Sequence, residues 1–228
     1  MTTRPDNPPA DPPADPPADP PADPRADPSG GADRVAAVLL AAGGGSRFAA
    51  PDHKLLALLQ GRPVLAWACE HVLDAGLDEV FVVTGAVDFA ELLTDLVARR
   101  PDPPDPTLRV LHNSDWQDGI ATSLRVGIAA AADAAHGAVV VGLADQPFVR
   151  PSAWATVARH PAPIAVATYA GQRGNPVKLS AAMWPLLPRS GDEGARALMR
   201  WRPDLVEEVP CDGDPFDIDT VEDLTRWS

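Results

Sequence analysis

Val35-Ala36-Ala37-Val38-Leu39-Leu40, running directly into Ala41-Ala42-Gly43-Gly44-Gly45-Ser46-Arg47, decides how the chain folds. Six apolar residues without polar alternation suit a strand buried on both faces. Only a sheet covered by helices on both sides provides that environment. The three glycines then end the strand and permit a tight turn with its backbone N–H groups turned outward. Ligands of open α/β sheets bind beyond the carboxyl ends of the strands, so a nucleotide site is expected at this turn.

Outward from that strand, apolar runs and helix-like stretches alternate. Residues 63–75 predict a helix, with Pro63 in its first turn and Gly76 just past its end. Residues 80–84, 108–111 and 138–143 predict strands. Residues 89–99 and 121–135 predict helices, and the proline-rich stretch 101–106 a surface loop. The alternation implies a Rossmann-like, three-layer α/β/α fold built on a mostly parallel sheet. Residues 164–169 and 176–179, joined by Ala170-Gly171-Gln172-Arg173-Gly174, predict a hairpin that forms a small antiparallel flap beside the sheet. Helices near Ala181 and Ala195, a strand near 205–209 and a short helix after Thr220 complete the chain.

Residues 1–33 are different in kind. They repeat Ala-Asp-Pro-Pro, carry eleven of the 27 prolines and hold almost no large apolar side chain. Such a segment buries too little surface to offset its ordering entropy, and a disordered tail is expected, followed by one domain over 34–228. The net charge of −13 is shared by both parts, with seven Asp against two Arg in the tail. That balance excludes a face that binds nucleic acid, which needs clustered Lys and Arg. Two cysteines suggest no disulfide framework, and the first residues lead into proline rather than an apolar run. With no apolar stretch near the ~20 residues of a membrane helix, a soluble cytoplasmic protein without membrane contact is expected.

The glycine-rich turn fails two common nucleotide fingerprints. The dinucleotide motif needs Gly or Ala where Phe48 stands and an acidic residue ending the next strand, where Thr84 and Gly85 stand. The P-loop needs Gly-Lys-Ser/Thr, which is absent. Arg47, a rigid fork, and Lys54, a mobile point charge, follow the turn and suit a triphosphate in an otherwise acidic chain. Gly142-Leu143-Ala144-Asp145-Gln146-Pro147 ends the most apolar strand, placing the Asp145 carboxylate at the same sheet edge unless it merely caps the next turn. The five histidines show no zinc spacing.

Taken together these segments resemble the MobA-like NTP transferases, and within them the molybdenum cofactor cytidylyltransferases. The matching stretches are Leu40-Ala41-Ala42-Gly43-Gly44-Gly45-Ser46-Arg47 with Lys54, the Ala-Asp-Gln-Pro at 144–147, and Asp217-Ile218-Asp219-Thr220. Asn113 to Leu124, Gly174-Asn175-Pro176 and Gly191 to Arg196 match as well, so the likeness spans residues 34–228. Phe48-Ala49 stands where the family has Met-Gly, and Val221 where it has Pro.

The resemblance implies a Mg²⁺-dependent nucleotidyltransferase. Residues 40–47 and Lys54 would bind the nucleotide, with Thr122 and Ser123 near nucleobase and ribose unless they are helix caps. Arg47, Lys54 and Asp145 would carry catalysis. Asp145 and Asp219 would hold the metal, Asp217 turning to the opposite face, while Thr220 or Asp219 is a local candidate for capping the last helix. Gln146, Asn175 and Arg196 would face the acceptor. The implied partners are a nucleoside triphosphate, with CTP favoured, a phosphorylated acceptor of molybdopterin type, and a molybdoenzyme client. Another small phosphorylated acceptor, or a non-catalytic escort of a finished cofactor, are the alternatives.

Overall fold

The structure is a computed structural model that describes residues 34–45, 48, 53–100 and 106–227. The expected disordered tail, Ser46, Arg47 and most of the proline-rich loop lie outside the described residues. The elements in chain order are β1 (Val35–Ala41), β2 (Leu58–Leu59), β3 (Arg62–Pro63), α1 (Val64–Leu73), β4 (Glu79–Thr84), α2 (Ala90–Ala98), β5 (Thr107–His112), α3 (Ile120–Asp133) and β6 (Ala138–Leu143). Then follow α4 (Pro151–Arg159), β7 (Ile164–Tyr169), β8 (Gln172–Ser180), α5 (Ala195–Trp201), β9 (Val206–Pro210) and α6 (Val221–Trp227).

Seven strands form one sheet in the order β5-β4-β1-β6-β8-β7-β9. Only β8 runs against the others: it pairs antiparallel with β6 and β7, while the remaining pairs are parallel. The hairpin expected over residues 164–179 is therefore present, but it lies within the main sheet. The separate antiparallel ribbon is formed instead by β2 and β3.

β1 explains the layers. Ala37, Leu39 and Ala41 face one apolar cluster with Leu65 and Val72 of α1, Leu93 of α2 and Trp154 of α4. Ala36, Val38 and Leu40 face the other, with Leu124 and Ile128 of α3 and Leu198 of α5. Alternation along a strand fills both clusters, which is why no polar residue interrupts it. Full burial of one Val or Leu contributes about 1.5–3 kcal/mol.

Two close approaches fix how the helices sit. A Cβ on Gly142 of β6 would lie 2.5 Å from the Trp154 ring, and one on Gly127 of α3 would lie 2.4 Å from Val38. Gly142→Val is expected to cost about 1–3 kcal/mol by overpacking, lowering Tm by about 2–4 °C per kcal/mol in a domain of this size. A thermal melt unchanged from wild type would count against this packing.

The chain enters the sheet at its centre, builds β4 and β5 on one side, then returns to β6 on the other. That reversal between β1 and β6 is the switch point at which doubly wound sheets open a crevice. Leu40 pairs with Leu143 there, and Ala144 N–H donates to the Leu40 carbonyl at 3.0 Å. The glycine turn and Asp145 are consequently neighbours.

Candidate active site

Two adjoining cavities open at this switch point. One, of about 540 Å³, is lined by Leu40 through Gly45, Lys54, Trp116 and Ser123. The other, of about 650 Å³, is lined by apolar side chains such as Val166 and Met199, by Asn175, and by Arg173, Arg196 and Arg200. Asp145 and Asp219 line both. They stand at the junction.

Lys54 Nζ donates to Asp145 Oδ2 at 2.6 Å and to Asp219 Oδ1 at 2.8 Å. The three side chains are 13 %, 18 % and 21 % exposed, which makes these bonds less screened than a surface pair. Burial alone would lower the Lys54 ammonium, but the Asp145 and Asp219 carboxylates outweigh it and hold it above its ordinary value. Asp145 Oδ1 is buried and, among the described residues, has no hydrogen-bond partner. An ionised carboxylate oxygen left bare in this way is costly unless a cation or another donor completes it.

The donor set fits a hard divalent cation. Among the described residues no group of three or more His, Cys, Asp or Glu forms a metal cage. A site with two carboxylates therefore relies on substrate phosphates and water for the rest, which is how Mg²⁺ is ordinarily held beside phosphates.

Several sequence expectations are sharpened. Asp145 does not cap a helix; the residue preceding α4 is Arg150. Thr220 caps α6 in a reciprocal box with Asp223, since Thr220 N–H donates to Asp223 Oδ2 at 2.9 Å and Asp223 N–H to Thr220 Oγ1 at 3.1 Å. The Asp219 carboxylate accepts from Lys54. Asp217, expected to turn away, lines the second cavity instead. Ile218 between them is fully buried, with its N–H on the Asp145 carbonyl at 2.8 Å. Residues i and i+2 of an extended segment share a face, so the two aspartates flank the buried isoleucine. Lost solvation first, then the Asp145 charge, raise the Asp217 carboxyl above the usual range.

Ser123 lines the first cavity, whereas Thr122 does not. Neither is the N-cap of α3, a position held by Gly119 with no side-chain cap bond. Buried Asn113 donates from Nδ2 to Thr122 Oγ1 at 2.9 Å and to Ser123 Oγ at 2.8 Å, fixing the start of α3 against β5. Gln146 is not on the cavity wall either. Its amide nitrogen donates to the Pro215 carbonyl and Asp217 Oδ1, both at 2.8 Å, and its Oε1 accepts from Asn175 Nδ2 at 3.0 Å. It bolts the wall together from behind. Asn175 and Arg196 line the second cavity, and among the described residues Arg196 makes no ion pair. Arg200 pairs with Glu193, and Arg173 with Glu208 at 2.7 Å.

His53 was not legible in the sequence as a site residue. Its Nδ1 accepts from Leu55 N–H at 3.3 Å, which leaves Nε2 to donate to the Gly43 carbonyl at 2.9 Å. Burial lowers its pKa, keeping the ring neutral and this tautomer available near pH 7. The imidazole thus ties the glycine turn to the segment that carries Lys54. A lone histidine next to a lysine offers no pattern from which this could be read.

The chain is similar to known proteins over most of its length. Residues 37–208 match the model of the MobA-like NTP transferase domain. A curated relative, nicotine blue oxidoreductase of Paenarthrobacter nicotinovorans, is 34 % identical over 205 residues, covering 84 % of this chain and 95 % of that protein. A nucleotidyl transferase from Methanothermobacter superposes with a TM-score of 0.69 at 25 % identity, over 85 % of this chain and 95 % of that one. A Mycobacterium tuberculosis protein solved in complex with manganese gives 0.65 at 26 %, over 85 % and 97 %. Among the described residues no helix is long and apolar enough to cross a membrane. With the family match spanning most of the sheet and the carboxylates meeting beside its glycine turn, the chain belongs to the MobA-like NTP transferase family.

Proposed function

We propose that the protein transfers a nucleotidyl group from a nucleoside triphosphate, CTP by preference, to a phosphate of a molybdopterin-type acceptor, releasing pyrophosphate. The observation that carries this is the meeting of Asp145 and Asp219 at the junction of two cavities, with Asp145 Oδ1 buried and without a partner among the described residues. The triphosphate belongs in the cavity with the glycine turn, and the acceptor in the one with Arg196 and Asn175. CTP is favoured by Ala41-Ala42-Gly43 and Asp145-Gln146-Pro147, which resemble the cytidylyl-transferring members.

An acceptor phosphate oxygen attacks the α-phosphorus, the bond from that phosphorus to the bridging oxygen breaks, and pyrophosphate leaves. The nucleophile is already anionic, so no side chain need remove a proton. Positioning and charge stabilisation supply the rate. When bound, Mg²⁺ neutralises charge on the phosphates; Asp145 and Asp219 are the residues that would hold it. Lys54, with Arg47, would steady the leaving pyrophosphate, and Arg196 would orient the anionic acceptor. The glycine turn, kept in place by His53, presents backbone N–H groups to phosphate oxygens.

His53→Phe is expected to weaken nucleoside triphosphate binding about 2–10-fold by calorimetry, the worth of one ordinary hydrogen bond. Unchanged binding would release His53 from this role. The whole reading is tested by pyrophosphate release across four nucleoside triphosphates, with and without molybdopterin. Release with CTP that depends on molybdopterin is the expected result. Release only with a different phosphorylated acceptor would move the substrate, and none with any acceptor would favour a cofactor escort. Because the Paenarthrobacter relative is an oxidoreductase of nicotine blue, redox turnover is the remaining outcome to exclude, by following the absorbance of nicotine blue with this protein.

A further inference from the structure

Lys54 Nζ sits between Asp145 Oδ2 and Asp219 Oδ1, at 2.6 and 2.8 Å. The two carboxylates assigned to a divalent ion therefore already hold a cation, through two charge-assisted bonds. An ion bridging the same two oxygens takes the place that the ammonium fills. An ion taken through the bare Asp145 Oδ1 lies across the same carboxylate, where two cations repel strongly at low screening. In either arrangement Lys54 must move.

The structure also provides a place for it to go. Lys54 lines the cavity beside Gly43, Gly44 and Gly45, and its four-carbon stem is flexible. Phosphate oxygens arriving at that turn offer the ammonium new anionic partners without taking it out of the cleft. We propose that Lys54 is a resident counter-ion that closes the cation site until a triphosphate draws it away, so that metal and nucleotide bind as a coupled pair. This rests on the reading of the site as a metal–triphosphate centre. Because the coupling is reciprocal, the nucleotide raises metal affinity by the same factor as the metal raises nucleotide affinity.

The test is a Mn²⁺ titration of the full chain, followed by electron paramagnetic resonance, without nucleotide and with an α,β-methylene analogue of CTP. Lys54→Met is expected to bind one Mn²⁺ without nucleotide on the order of tenfold or more tighter than wild type. Adding Asp145→Asn to that variant should remove the gain. Equal Mn²⁺ affinity of Lys54→Met and wild type, whether both are tight or neither is measurable, overturns the proposal. Wild type supplies an arm free of any folding question: the analogue must raise its Mn²⁺ affinity on the order of tenfold beyond that of the analogue alone. Tight Mn²⁺ binding by wild type without nucleotide overturns the counter-ion role while the transfer reading stands. Absence of pyrophosphate release overturns the transfer reading, whatever the titration gives.

Discussion

Asp145→Asn is expected to lower turnover by about 10²–10³-fold or more, the scale of losing one organised electrostatic contact in an active site. The substitution keeps the size of the side chain but removes the charge at the junction of the two cavities. It also replaces the partner that Lys54 Nζ meets at 2.6 Å, leaving Asp219 at 2.8 Å to hold the ammonium. The backbone there is unaffected, since the Asp145 carbonyl accepts from Ile218 N–H and that bond does not involve the side chain. A thermal melt close to wild type should therefore accompany the loss of pyrophosphate release. Near-normal turnover would remove Asp145 from the mechanism, and a collapsed melt would reassign it to stability.

Lys54→Ala should be as severe, about 10²–10³-fold in turnover, for a different reason. The ammonium faces the cavity with the glycine turn, where a leaving pyrophosphate would gather negative charge. In its absence Asp145 and Asp219 lose the ammonium that bridges them. Both lie beside open cavities and can be hydrated, so the fold should survive. Triphosphate binding by calorimetry and turnover by pyrophosphate release should fall together. An unchanged turnover would sink the assignment of Lys54.

Much of the fold was legible because burial leaves a strong trace in sequence. β1 and β6 are apolar on both faces, and only the centre of a covered sheet demands that. Glycine and proline marked helix ends where a conformation requires them: Pro63 precedes α1, and Gly76 has φ +70° after it. α4 was not expected: Pro151 occupies its first helical turn, and only Ala153, Trp154 and Val157 mark its buried face. The position of the β7–β8 hairpin within the sheet is a matter of long-range pairing: Val141 of β6 meets Val177 of β8, a contact that no local pattern encodes.

The candidate site divides in the same way. Asp145 and Asp219 stood out through the stretches around them, and the fold brings them together. That Lys54 joins them across 91 and 165 residues of sequence follows only from the topology. Gln146 was singled out for the acceptor, yet its amide is spent on Asn175, Asp217 and the Pro215 carbonyl. Arg47, Ser46 and the residues around Ala49 lie outside the described residues, so the departure from Met-Gly at Phe48-Ala49 has a structural counterpart only in Phe48, which is buried.

The most direct test follows the transferred group itself. Full-length protein incubated with CTP labelled at the α-phosphate, Mg²⁺ and molybdopterin should move the label into the acceptor, with one pyrophosphate released per label transferred. Chelation with EDTA should stop the reaction, and restored Mg²⁺ should restart it. No label in the acceptor, or transfer that proceeds undiminished in EDTA, would contradict metal-assisted nucleotidyl transfer at Asp145 and Asp219.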